Sequence, residues 1–250
     1  MQKILKHKKM IVLSFAIFLI TGIGSFFYYS QKQKNLEKNV YTAQSSALKT
    51  MEDKQKGKKN EIKKEKETND SSNSSTDEST VPADPVPLEL DMKNVDYNGK
   101  DVVPLTEEAM KKVDAEKVVS SFGVGTIEIP SIGMNLPILE GISQNNLSVG
   151  AGTMKEGQKL KYGNFALAGH YMTNAGLLFG GIKNVKKNDQ IKITYKNETA
   201  NYKVTEVKQI TQADSQVIYD SEGEGILTLI TCDHAVEGTE GRVMVRATLD

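Results

Sequence analysis

The chain has 250 residues, of which 38% are hydrophobic and 26% charged, and its formal net charge is zero. That length holds one or two domains, and the balanced charge gives no basic surface for nucleic acid. A single cysteine, Cys232, excludes an internal disulfide.

Residues 1–9, MQKILKHKK, carry four lysines, and the next twenty, 10–29, contain no charged side chain. Twenty uncharged, mostly apolar residues are long enough to cross a bilayer. A cleaved signal peptide has a similar layout, but this run exceeds the usual apolar core of one and no small-x-small site follows it. The pattern therefore predicts a retained signal anchor through the plasma membrane at 10–29. The basic residues of 1–9 keep the N-terminus cytoplasmic, and everything from residue 30 onward lies on the extracellular face. Tyr28 and Tyr29 fall where interfacial aromatics are expected.

Residues 30–87 are dominated by Lys, Glu, Gln, Asn, Ser and Thr, as in KQKGKKNEIKKEKETNDSSNSST. Such a composition buries too little apolar surface to offset ordering entropy, so a disordered extracellular linker is predicted. Residues 88–122 form an N-terminal extension. Within it, LTEEAMKKVDAEKVV (105–119) reads as one short amphipathic helix with Thr106 as N-cap and two acids in the first turn.

From residue 123 to 250 the period changes. GVGTIEIPSI, LPILEG, NFALAGH, DQIKITYK, NYKVTEVKQI, GILTLITC and RVMVRATL are short β-branched runs separated by Gly, Asn and Asp. Helical insertions are predicted near SQNNLSVG and LLFGGIKNV. Seven or eight such strands predict a mainly β fold, a closed antiparallel-rich barrel with short helices.

Cys232 ends the run TLITC, on the side of the membrane where thiols are oxidised. A thiol attacks acyl groups as a thiolate, so a nucleophilic cysteine needs a histidine or a positive charge beside it. Of the three histidines, His7 lies on the predicted cytoplasmic side and His234 in a polar, Gly-rich loop. His170, after the strand NFALAG, is the better-held base. Only two of the 32 basic residues are arginines, Arg242 and Arg246, both in the last strand. A retained guanidinium suggests that a planar donor fork is needed, and Arg242, at the strand's start, is the oxyanion candidate. The plain alternative is a buried packing cysteine in a membrane-tethered, wall-binding barrel. Zinc is disfavoured, because Cys-x-His with one remote histidine lacks the usual ligand spacing.

ALAGH at 166–170, TLITC at 228–232 and Arg242 beyond a short loop resemble the His, Cys and Arg motifs of the sortases, cysteine transpeptidases of Gram-positive bacteria. The resemblance runs from about residue 105 to Leu249. With an N-terminal anchor and no C-terminal apolar segment, it is most similar to class A, the housekeeping type. The resemblance implies an eight-stranded sortase barrel in which Cys232 attacks the Thr-Gly bond of an LPXTG-type sorting signal. It further implies His170 as proton carrier, Arg242 on the oxyanion, and Ala168 and Thr231 lining the substrate groove. The partners implied are LPXTG-bearing surface proteins and an amine of a peptidoglycan precursor similar to lipid II. Some class A members bind calcium through an acidic loop, but here the loop before the histidine strand is TMKEGQKLKYGN, with Glu156 as its one carboxylate. No metal or cofactor is therefore expected. The class D type and a hydrolytic cysteine peptidase remain alternatives within the same chemistry.

Overall fold

A computed structural model describes the backbone of residues 2–68 and 95–250 apart from 222 and 224, and the side chains of 21–58 and of that same second stretch. Eight strands close into a barrel: β1 (Gly123–Ile129), β2 (Met134–Leu139), β3 (Ala151–Thr153), β4 (Asn164–Ala168), β5 (Gln190–Tyr195), β6 (Glu198–Thr211), β7 (Ile226–Cys232) and β8 (Gly241–Leu249). Their order around the barrel is β1-β2-β3-β4-β7-β8-β6-β5. Branched and aromatic side chains from these strands fill the interior, among them Ile127, Leu136, Phe165, Ile191, Tyr202 and Leu229, all nearly inaccessible to solvent. The expected antiparallel-rich barrel is present, although β2–β3 and β4–β7 pair in parallel.

One of those parallel pairs positions the functional rim. Ala168 of β4 stands level with Ile230 of β7, so both strands run out at the same end of the barrel. β8 runs antiparallel to β7 and therefore begins at that end, with Cys232 paired to Arg242. Three segments far apart in sequence are thus delivered to one rim by hydrogen-bonded register alone.

The predicted helix at 105–119 is two helices. Thr106 caps α2 (Glu107–Met110) by accepting the Ala109 N–H, and Asp114 caps α3 (Ala115–Phe122) by accepting the Lys117 N–H. The second cap sits inside the expected helix, where an aspartate competes better as an initiator than as an interior residue. Around SQNNLSVG the expected helix is α4 (Gln144–Val149), whereas LLFGGIKNV supplies only a short 3-10 turn at Ile182–Asn184.

The largest departure is in the linker. Residues Gln2–Thr68 form one helix, α1, so the part of 30–87 that is described is ordered and not a disordered tether. Val40, Ala43, Ala47 and Met51 repeat at helical spacing and are buried, with Leu36 packed against the same core. Full burial of Val40 and Met51 contributes roughly 1.5–3 kcal/mol each. Lys54 then crosses to α3 and donates from Nζ to the carbonyls of Val119, Ser120 and Gly123 at 3.2, 3.0 and 3.1 Å. A cation there satisfies acceptors that a helix end leaves open.

Among the described residues, no helix is long and apolar enough to cross a membrane. The basic 1–9 segment and residues 10–20 of the expected anchor lie outside the side chains described, as do 69–87 of the expected linker and 88–94 of the extension.

Candidate active site

Cys232 is the last residue of β7 and is half-buried. Its cross-strand partner is Arg242, whose Nη1 donates to the carbonyls of Thr239 at 2.7 Å and Gly241 at 2.8 Å. These bonds fold the β7–β8 loop around the guanidinium and leave its remaining N–H groups for other acceptors. Burial raises the thiol pKa above its ordinary value; the Arg242 charge opposes that rise and the Asp233 carboxylate adds to it.

His170 follows β4 by two residues and is only 8% exposed. Its backbone carbonyl accepts the Phe179 N–H at 3.0 Å, and the Gly169 N–H donates to Ile230 of β7 at 3.1 Å. Gly169 has a steric reason to be glycine: a Cβ there would lie 2.5 Å from the Phe179 ring. Desolvation lowers the His170 pKa to about 4, and its buried Nε2 has no hydrogen-bond partner among the described residues. Burial thus disfavours the charged form of both side chains, and the unpaired ring nitrogen is available to take or give a proton.

His170, Cys232 and Arg242 line one cavity of about 390 Å³. The β7–β8 loop forms one of its walls. Its lining also includes residues that sequence reasoning did not assign to the site: Gly99 and Val102–Leu105 of the N-terminal extension, with Gln33 and Leu36 of α1. His234 also reaches this cavity, but its ring is exposed and pairs with Asp233 at 3.1 Å.

Ala168 and Thr231 do not line this cavity. Ala168 ends β4 half-buried. Thr231 points inward, 3% exposed, and its hydroxyl donates to the Gly169 carbonyl at 2.7 Å. Strand alternation explains this, since a residue next to one that opens to the surface turns to the other face. Thr231 thereby ties the end of β7 to the peptide that carries His170.

A family model described as "Sortase domain" matches residues 127–250. The chain is 42% identical to sortase A of Listeria monocytogenes over 122 residues, 49% of this chain and 54% of that protein. With sortase A of Streptococcus agalactiae the identity is 33% over 170 residues, 63% of this chain and 68% of that one. The chain belongs to the sortase family. Its likeness is to the class A, housekeeping type. The match spans about half the length of the Listeria relative. A solved structure of Listeria monocytogenes sortase A is 40% identical, with a TM-score of 0.49 over 51% of this chain and 87% of that one.

In this sortase the loop after Cys232 carries further residues that the motifs alone did not reveal. Thr239 offers its carbonyl to Arg242 and donates its hydroxyl to Asp233 Oδ1 at 2.7 Å, which holds the Asp233 carboxyl below its usual pKa. The loop is thus cross-braced from both sides of the cysteine. A sequence signal for this existed, because Asp, Thr and Gly recur in short spacing where tight side-chain-to-backbone turns form.

Proposed function

We propose that this chain is a cysteine transpeptidase that cleaves an LPXTG-type sorting signal between Thr and Gly and joins the acyl product to an amine of a cell-wall peptidoglycan precursor. The observation that carries the reading is the cross-strand pairing of Cys232 with Arg242 in a cavity that His170 shares. Cys232 Sγ attacks the threonine carbonyl, and His170 accepts the thiol proton as the bond forms. The tetrahedral oxygen gains charge that the free N–H groups of Arg242 are placed to stabilise, more in the transition state than in the ground state. Collapse breaks the Thr-Gly bond, with His170 returning the proton to the departing glycine amine. The thioester then meets the incoming amine, which loses its proton to His170 as the new amide forms and the thiolate leaves. Ala168 and Thr231 support the groove from behind in this reading, Ala168 as the end of the strand that leads to His170 and Thr231 by holding the His170 peptide in place.

The same reading places residues 10–29 as a single-pass anchor in the plasma membrane, with the N-terminus cytoplasmic and the barrel outside. The uncharged run and the lysines that precede it support this. Because α1 continues through Val40, the barrel would stand within roughly 16 Å of the end of the apolar run, given 1.5 Å per helical residue. LPXTG-bearing surface proteins and a lipid II-like precursor, both held at the membrane, are partners suited to that height. The test is ligation by the full chain of an LPXTG-type peptide to an oligoglycine amine, followed by mass spectrometry. The ligated product should form with wild type and vanish with Cys232→Ala; hydrolysed peptide alone, with amine in excess, would make the chain a peptidase.

A further inference from the structure

Positions along α1 order the rest of the protein by distance from the uncharged run. Gln33 and Leu36 line the cavity that holds Cys232, His170 and Arg242, and Lys32 pairs with Glu108 at 3.3 Å. One turn on, Glu37 Oε2 accepts from Asn174 Nδ2 at 3.2 Å, and beyond it Gln44 Oε1 accepts the Leu178 N–H at 2.9 Å. Lys54 comes last, on the carbonyls of Val119, Ser120 and Gly123. These bonds fasten the helix at successive heights, so the order is fixed.

At 1.5 Å per helical residue, Gln33 stands about 6 Å beyond Tyr29, where the uncharged run ends, and Lys54 about 38 Å beyond it. A tilt of about 20°, usual for helices that cross a bilayer, shortens both heights slightly and keeps their order. The cavity is therefore at the end of the molecule nearest the uncharged run, and the C-terminal end of α3 is at the far one.

The side chains exposed at the near end suit a bilayer surface. Val236, in the loop between β7 and β8, is 64% exposed and Val103 46%, and both line the cavity. Lys34 of α1 is exposed one residue past Gln33, where a phosphate headgroup would pair with it. Glu237 of the same loop also lines the cavity, and a carboxylate there keeps the contact among headgroups, since charge is costly deeper in the acyl region.

We propose that the cavity end of the protein is a membrane-contact surface, on which Val236 and Val103 meet lipid headgroups and the cavity takes its amine acceptor from the bilayer side. This rests on the anchor at 10–29 proposed above. An acceptor attached to a lipid then reaches Cys232 without leaving the membrane plane. Holding both in one plane also raises the acceptor's effective concentration over that of a free amine.

The chain has no tryptophan, so a single introduced one reports depth. The full chain is placed in vesicles of phosphatidylcholine and phosphatidylglycerol that carry a nitroxide quencher on the headgroup. Val236→Trp should lose most of its emission, and Ser120→Trp, exposed at the far end, should lose little. Equal quenching of the two, or stronger quenching in Ser120→Trp, would overturn the proposal. Flotation of the wild type separates the causes: a chain that stays in solution refutes the anchor and this surface with it, whereas a floating chain with equal quenching refutes the surface alone. In a second measurement, about seven residues, two helical turns, are inserted after Tyr29, which lifts the cavity by roughly 10 Å with its face nearly kept. Ligation to a lipid-tethered oligoglycine should fall about tenfold, with ligation to free oligoglycine unchanged. Undiminished ligation to the tethered amine would overturn delivery from the bilayer. Quenching is read without substrate, so a chain that ligates neither amine counts against the proposed function while depth still decides the surface.

Discussion

Cys232 and Arg242 are cross-strand partners at the rim of the barrel, the last residue of β7 opposite the second residue of β8. Backbone register fixes their Cα positions opposite each other, so both side chains start from the same point on the rim. Even so, burial outweighs the guanidinium's pull on the thiol. In the proposed mechanism the main electrostatic work of Arg242 therefore falls on the oxyanion and not on forming a resting thiolate.

From this follows a difference between substitutions. Arg242→Lys keeps the charge but cannot bond Thr239 and Gly241 while still offering parallel donors to an oxyanion. We expect kcat to fall roughly 10²–10³-fold, the range for loss of one oxyanion donor. Steady-state kinetics beside thermal melts would check it; a lysine variant within twofold of wild type would show that charge alone is enough.

The pH dependence of alkylation tests the resting state. With the Cys232 thiol raised and His170 near 4, iodoacetamide should react slowly at pH 7 and faster only as pH rises into the alkaline range. A plateau of fast alkylation below pH 7 would instead reveal a stable thiolate-imidazolium pair.

His170 also links stability to pH. Its folded pKa of about 4 lies below the ordinary histidine value of 6.5, so the unfolded chain takes up the proton first. The contribution is fully present above pH 6.5, is lost as pH falls towards 4, and is flat below. Its size is about 3 kcal/mol at 1.36 kcal/mol per unit. Urea denaturation of wild type and His170→Asn at pH 7 and 4.5 should show the variant losing less stability on acidification, by about 2.5 kcal/mol because pH 4.5 still lies above the folded pKa.

Much of this architecture is legible in the residues, and the gaps have physical causes. Seven β-type runs are visible because branched residues alternate with polar ones, while β3 is a three-residue Ala-Gly-Thr segment with too little pattern to read. The parallel pairing of β4 with β7 joins residues more than sixty positions apart and leaves no local trace. His170, Cys232 and Arg242 are readable from residue type and strand ends, but their convergence depends on that pairing. The linker was misjudged because its average composition hid Leu36, Val40, Ala43, Ala47 and Met51, whose spacing is helical. The extension's share of the cavity lining is not legible for a different reason, because the apolar residues of 86–122 suit packing on the barrel and covering the groove equally well.

Packing of α1 gives a direct check. Ala47→Asp places a charge at a fully buried position of α1, the helix that packs against α3 and α4. Hydrogen exchange across residues 36–54 should then rise towards that of an unprotected helix, with the barrel strands unaffected. Equal exchange in both proteins would mean that α1 does not need this face.

Glu140 is the most committed carboxylate among the described residues. It is fully buried and accepts from the Tyr97, Thr153 and Tyr195 hydroxyls at 3.0, 3.0 and 3.1 Å, with Lys196 at 3.2 Å. Glu140→Ala leaves those donors without their acceptor and should cost about 3 kcal/mol by urea denaturation. A loss below 1 kcal/mol would show that the hydroxyls find other partners.

In the proposed mechanism Cys232 carries the acyl group between its two partners. To trap that acyl-enzyme, the full chain is mixed with an LPXTG-type peptide and no amine, quenched in acid, and the mass increase is mapped by proteolysis. An increment equal to the peptide up to its threonine is expected, attached to Cys232 and removed by oligoglycine. An adduct on any other residue, or product formed with no adduct and undiminished in Cys232→Ala, would contradict it.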